Sequence, residues 1–171
     1  MGSDLRVDIL DFVRRYPGVH PREVERQMGL PTKLAGYHMD ALVDEGLLRR
    51  VDESGFARYV PVGSKEQWTQ RELAFTFLMR RGPPLRIALL LLSEGTLTPG
   101  AMADALGFAK ASVSYHLAAM LDAGLVEVER RGRERCYSLA DRAYVQRMLE
   151  RFHPLPGELD TFTRLWNDLV G

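Results

Sequence analysis

Apolar residues fall at helical spacing in two blocks of the chain, and each block closes with two short alternating runs. In the first block Leu5, Ile9, Phe12 and Val13 form one stripe, which predicts a helix over Asp4–Tyr16 with Asp4 as its cap. Pro17 and Gly18 end that helix, and Pro21 suits the first turn of a second, Arg22 to Met28. Gly29 and Pro31 mark a turn before a third helix, Thr32 to Asp44, which Gly46 stops. Leu47–Val51 and Phe56–Val60 read as strands around the turn Asp52-Glu53-Ser54-Gly55.

The second block repeats this order. Leu85 to Glu94 predicts a helix, Thr98 caps the next one through Ala101–Leu106, and Gly107 precedes a third beginning at Lys110. Val113, Leu117, Met120 and Leu121 give that helix its core stripe, and Gly124 stops it. Strands Val126–Arg130 and Arg135–Leu139 follow, around Arg131-Gly132-Arg133. The two blocks are in register: Tyr37-His38 and Tyr115-His116 stand 78 positions apart, as do Ile9 and Ile87, Pro21 and Pro99, Gly29 and Gly107, and Tyr59 and Tyr137. So many matches at one offset indicate a duplicated domain, and the period is too long for a solenoid.

Between the blocks, Ser64–Arg81 carries Trp68, Leu73, Phe75, Phe77, Leu78 and Met79, too apolar for a flexible linker. The tail from Asp141 to Val170 reads as two helices broken at His153–Gly157. Tyr144, Met148, Leu149, Phe152, Leu159, Phe162, Leu165, Trp166 and Leu169 form its apolar stripe. That stripe either covers its own domains or forms a homodimer, and the connector is a second candidate surface for association. The predicted fold is mainly α with small β-hairpin wings. Two tandem domains, 4–63 and 83–140, are joined by a helical connector, 64–82, and followed by a helical tail, 141–171.

Composition changes this picture little. At 46% hydrophobic residues the 171-residue chain can bury a sizeable core, and no apolar run is long enough to cross a bilayer. With no apolar signal region at the start, a cytoplasmic protein is expected. The 23 basic and 23 acidic residues cancel, which counts against a strongly basic, non-specific nucleic-acid binder but not against a basic face. The single cysteine, Cys136, excludes an intrachain disulfide and any multi-cysteine zinc site, and reads as a half-buried structural residue on a strand, with redox sensing through an intersubunit disulfide as the alternative. His20, His38, His116 and His153 lack a cluster at ligand spacing, so no metal or other cofactor is predicted. Catalytic motifs are absent too: there is no phosphate-binding glycine loop, no Gly-x-Ser-x-Gly and no His-Glu-x-x-His. A non-enzyme is expected.

The candidate chemistry lies on the third helix of each block. Lys110, Ser112, Ser114, Tyr115 and His116 occupy the N-terminal half of the second copy, where a helix entering a DNA major groove carries its hydrogen-bonding groups. Arg130, Arg131, Arg133 and Arg135 surround the following turn and suit phosphate contact. In the first block the turn is acidic, with Asp52 and Glu53, so only Arg49, Arg50 and Arg58 could contribute beside it.

Three features together resemble the winged helix-turn-helix domains of bacterial and archaeal transcription regulators, the ArsR/MarR-like superfamily. They are Ser112-Val113-Ser114-Tyr115-His116-Leu117, the exit Asp122-Ala123-Gly124-Leu125-Val126, and the arginine turn ending in Cys136-Tyr137-Ser138-Leu139. Ala35-Gly36-Tyr37-His38-Met39, Asp44-Glu45-Gly46-Leu47-Leu48 and Tyr59-Val60 match them in the first block. The resemblance implies recognition helices 32–45 and 110–123, an arginine wing 130–135 and double-stranded DNA as partner. Lys110, Ser112, Ser114, Tyr115 and His116 would lie near bases or phosphates, with Thr32, Lys33, Gly36, Tyr37 and His38 their first-copy equivalents. Tandem winged helices also act as protein-interaction modules in transcription and chromosome-organising complexes, and the neutral charge and acidic first turn fit that alternative. A small-molecule effector held near Trp68 or Trp166 is a third reading.

Overall fold

The computed structural model describes residues 4–63, 68–158, 163–164 and 166–167. They form two compact units, Met1–Phe77 and Leu78–Gly171.

The first unit opens with α1 (Leu5–Arg15), α2 (Pro21–Met28) and α3 (Leu34–Asp44), followed by strands β1 (Leu48–Glu53) and β2 (Phe56–Pro61). Asp4 caps α1 by accepting the Arg6 N–H at 2.9 Å. The cap of α2 is His20, whose Nδ1 accepts the Arg22 N–H while the Glu23 carboxylate accepts the His20 N–H, a reciprocal capping box. Its apolar faces close on one another: Ile9, Val13, Val24, Ala35, Met39, Leu42 and Tyr59 are all buried. Each fully buried large side chain among them contributes roughly 1.5–3 kcal/mol. The segment before α2 joins the sheet, with the Gly18 N–H donating to Tyr59 O at 2.8 Å and the Tyr59 N–H to Val19 O at 3.1 Å.

Two expectations are corrected here. The third helix begins at Leu34 rather than Thr32, because Lys33 adopts a left-handed conformation (φ 74°) that a helix cannot incorporate. The hairpin turn is only Ser54-Gly55. Both have positive φ (52° and 83°), as a two-residue type I′ turn requires, so Asp52 and Glu53 belong to the ladder opposite Ala57 and Phe56.

The connector holds α4 (Gln70–Arg80). Leu73 and Phe77 pack with Val60, against which Val51 and Trp68 also lie. Leu73, Phe75, Phe77, Leu78 and Met79 are all buried within the single chain.

The second unit contains α5 (Pro83–Glu94), α6 (Pro99–Leu106), α7 (Lys110–Asp122), β3 (Val126–Arg131), β4 (Glu134–Leu139) and α8 (Arg142–Arg151). Helix α5 starts two residues earlier than expected, since prolines 83 and 84 fit the first turn of a helix. Thr98 caps α6 by accepting the Ala101 N–H. Leu97 pairs with Tyr137 as Val19 does with Tyr59, so α6, β3, β4 and this bridge all repeat their first-unit equivalents at the 78-residue offset. Ile87, Leu91, Met102, Val113, Leu117, Met120 and Tyr137 are buried. Cys136 is a buried free thiol.

Helix α8, capped by Asp141, buries Val145, Met148 and Leu149, and Phe152 just beyond it is buried too. Arg80 lies over the Phe152 ring and donates to the His153 carbonyl. This part of the tail therefore covers its own unit. The second predicted tail helix falls largely outside the described residues, and with it Leu159, Phe162, Leu165 and Leu169. No helix among the described residues is long and apolar enough to cross a membrane.

Candidate nucleic-acid interface

Helix α7 turns Val113, Leu117 and Met120 inward, and the 3.6-residue period then puts Lys110, Ser112, Ser114 and Tyr115 on its exposed side. The Tyr115 ring is 68% exposed, unusual for a large aromatic and available to a partner. His116 is different. It is half-buried behind Tyr115, ring centroids 5.2 Å apart and edge-on, and its Nδ1 is buried without a hydrogen-bond partner. Burial pushes its pKa below 6.5, helped by the positive charge of Arg81. The imidazole packs edge-on against Tyr115, so the structure leaves His116 half-buried where the other four side chains are exposed.

The register of β3 and β4 sorts the arginine turn onto two faces. Arg130 stands opposite Arg135, and Arg131 opposite Glu134. Side chains alternate along a strand, so Arg130 and Arg135 share a face with Val128, which is 44% exposed. Arg131 shares the other with Glu127, Glu129 and Glu134, and pairs with Glu129 at 3.3 Å. Arg133 sits with Gly132 in the two-residue turn; Gly132 has φ 64°, the positive value a type II′ hairpin needs at its first central position. Two like charges directly opposite one another destabilise a hairpin unless an anion lies between them. Sequence alone lists four equivalent arginines; the register separates them.

In the first unit Tyr37 is also 68% exposed, with His38 half-buried beside it at 5.3 Å and its Nδ1 again unpartnered. Thr32 and Lys33 precede the helix instead of lying on it, and Gly36 is half-buried in its first turn. Arg58, expected beside the turn, is buried: its guanidinium donates to the Gly18 carbonyl and to Glu23, both at 3.1 Å. Arg50 is held by Asp52 at 3.2 Å and lies 3.9 Å from Asp40, and these carboxylates raise its pKa, the Asp52 hydrogen bond most. Asp40 accepts the Tyr59 hydroxyl at 2.5 Å; burial first, then this bond, pushes the Tyr59 pKa up to about 12. Of the three arginines near the first hairpin only Arg49 stays exposed without an ion-pair partner among the described residues.

Sequence reasoning missed His20, Glu23, Asp40 and the role of Arg58. A signal existed for the first pair, since Glu23 stands three residues after a residue preceding Pro21. Between α2 and α3 of this unit lies an open hollow of about 410 Å³, with Arg22, Glu25, Lys33, Tyr37 and Asp40 among its lining. Among the described residues no group of three or more His, Cys, Asp or Glu could hold a metal ion.

Residues 84–129 match the model of a helix-turn-helix domain. This span covers most of α5, all of α6 and α7 and the start of β3, so the helix-turn-helix contains Lys110, Ser112, Ser114 and Tyr115. Among solved structures, reduced HlyU from Vibrio cholerae is 21% identical, with 48% of this chain and 88% of that one covered and a TM-score of 0.42. The homodimeric winged helix-turn-helix DNA-binding domain of Mb0332 from Mycobacterium bovis, a possible ArsR-family transcriptional regulator, is 26% identical. It covers 47% of this chain and 74% of its own, with a TM-score of 0.43. The endosomal complex ESCRT-II matches at 15% identity over 82% of this chain and 62% of that one, with a TM-score of 0.31. No curated protein matches the chain.

Proposed function

We propose that the protein is a DNA-binding transcription regulator of the ArsR/MarR-like kind. It would be built from two tandem winged helix-turn-helix domains, 4–63 and 83–140, with 64–82 as connector and 141–171 as tail. The observation that carries this reading is the exposed face of α7 inside the matched helix-turn-helix. Lys110, Ser112, Ser114 and Tyr115 are all exposed there, followed by a hairpin whose tip bears Arg130, Arg133 and Arg135 without a carboxylate partner among the described residues. A recognition helix in the major groove reads base edges with such short donors and acceptors, and the arginines fix its register on phosphates. Arg131, offset by Glu129, contributes less, and His116 acts by holding Tyr115.

Thr32, Lys33, Tyr37 and His38 have the weaker claim to duplex DNA. Asp40, Asp52 and Glu53 stand on or beside the same face and oppose phosphate. That acidic first hairpin favours the second reading, a module whose first domain docks on protein.

Fluorescence anisotropy of the full chain on duplex DNA tests the proposal. Binding is expected to weaken steeply with salt. The Arg130→Ala/Arg135→Ala variant should flatten the log–log salt slope by about two, since each lost phosphate contact removes roughly 0.9. A salt-insensitive complex, or a variant that binds like the parent, overturns it in favour of the protein-docking module.

A further inference from the structure

We infer that the hollow between α2 and α3 of the first unit is a binding site for a small organic anion, a carboxylate on a compact apolar body. The 78-residue offset supplies an internal control. Charged lining residues Arg22, Glu25, Lys33 and Asp40 take the places that Gly100, Ala103, Ala111 and Ala118 hold in the second unit. Arg26, which lines an adjoining hollow of about 370 Å³ together with Arg22 and Glu25, stands where the second unit has Asp104. The two units share a framework, and the first has gained side-chain chemistry at this spot where the second keeps small or acidic residues.

The charges are not equivalent in what they leave free. Glu25 accepts the buried Ala35 N–H at 3.2 Å. Asp40 accepts the Tyr59 hydroxyl and faces Arg50. Both carboxylates are thus spent on the scaffold. Arg22 and Lys33 have no ion-pair partner among the described residues, and Gly36 in the first turn of α3 lines the same hollow. Two cations without an ion-pair partner among the described residues suit a carboxylate, while the rings of Pro21 and Tyr37 supply an apolar wall. The volume is that of a small-molecule site. A duplex is a poorer occupant, because the hairpin beyond the hollow carries Asp52 and Glu53, which a long phosphate backbone would have to pass and a small anion would not. Neither Trp68 nor Trp166 lines this hollow.

The site stands independently of duplex reading by the second unit, and its test needs no operator. ¹⁵N-labelled full-length protein is titrated with benzoate, with benzylamine and, separately, with a short duplex, following the backbone amides of Gly36 and Tyr37. Benzoate is expected to shift both saturably, benzylamine to leave them in place, and Arg22→Gln/Lys33→Gln to weaken benzoate by about tenfold. Unmoved amides at Ile9, Val13 and Met39 establish that the variant is folded. Absence of a saturable benzoate shift, a preference for benzylamine, or a folded variant that binds like the parent overturns the site. So does a response to duplex without one to benzoate, which would make the hollow a phosphate-backbone contact.

Discussion

At the scale of single residues, two histidines make stability depend on pH in one direction. Burial lowers the pKa of both His20 and His116 below 6.5. For His20, nearby Glu23 works against that shift without cancelling it. A base with a depressed folded pKa favours the unfolded state once protonated. Its contribution is complete above pH 6.5 and is lost as pH falls through the lower folded value. His20 has an added reason, since its Nδ1 can cap α2 only while unprotonated. Thermal midpoints measured from pH 8 to about pH 5 should be flat at first and then fall, and His116→Gln should make the fall shallower. A midpoint that rises on acidification would contradict both assignments. Glu129 offers a test on binding: as an exposed partner of Arg131 it holds that arginine weakly. Glu129→Gln should tighten duplex binding about twofold, the worth of a surface pair near 0.5 kcal/mol. The identities of Tyr115 and His116 mark a candidate face in the sequence, but which of two adjacent side chains points outward depends on how α7 is rolled against α5.

Single elements tell the same story through the first hairpin. Arg58 and Glu23 form a pair that is largely withdrawn from water, at positions where the second unit has Cys136 and Ala101. Removing one partner strands a buried charge. Arg58→Cys alone is therefore expected to cost about 3–5 kcal/mol in a denaturant melt, while Arg58→Cys/Glu23→Ala should recover at least half of that. Equal losses in the single and double variants would mean that Glu53 and the Gly18 carbonyl, not Glu23, are the partners that matter. From the sequence Arg58 reads as a DNA-facing cation because strand alternation fixes parity, not which parity is inside. The bridge between Val19 and Tyr59 lays the segment before α2 alongside β2, and the residues of β2 near it are buried. Arg58 is one of them. The helices were more legible, since α2, α6 and α7 carry a proline, threonine or glycine at their ends that acts locally. Helix α3 is the exception, because nothing local in Pro31-Thr32-Lys33 announces a left-handed lysine.

For the whole molecule, the open question from sequence was whether the tail's apolar stripe serves its own chain or a second copy. As far as it is described, α8 serves its own unit. Leu149 is 1% exposed. Leu149→Ala should cost about 2–5 kcal/mol, and the loss should not change with protein concentration in sedimentation-checked melts. A penalty that grows on dilution would place Leu149 in a subunit interface instead.

What the sequence determined by itself is everything that acts over a few residues or repeats at a constant distance. The residue matches at a 78-residue offset, the three-helix-and-hairpin order, the caps at Asp4 and Thr98 and the basic character of the second turn all belong to that class. Capping, periodicity and turn chemistry are local interactions, so they leave local marks. Tertiary structure alone decided which arginines of that turn share a face, which histidine nitrogens are buried, and that Arg58 is a core ion pair. It also put four charged residues around one hollow, from positions 22 to 40. Each of these outcomes depends on the roll of a helix or the register of a strand against neighbours distant in sequence, and no local pattern encodes that choice.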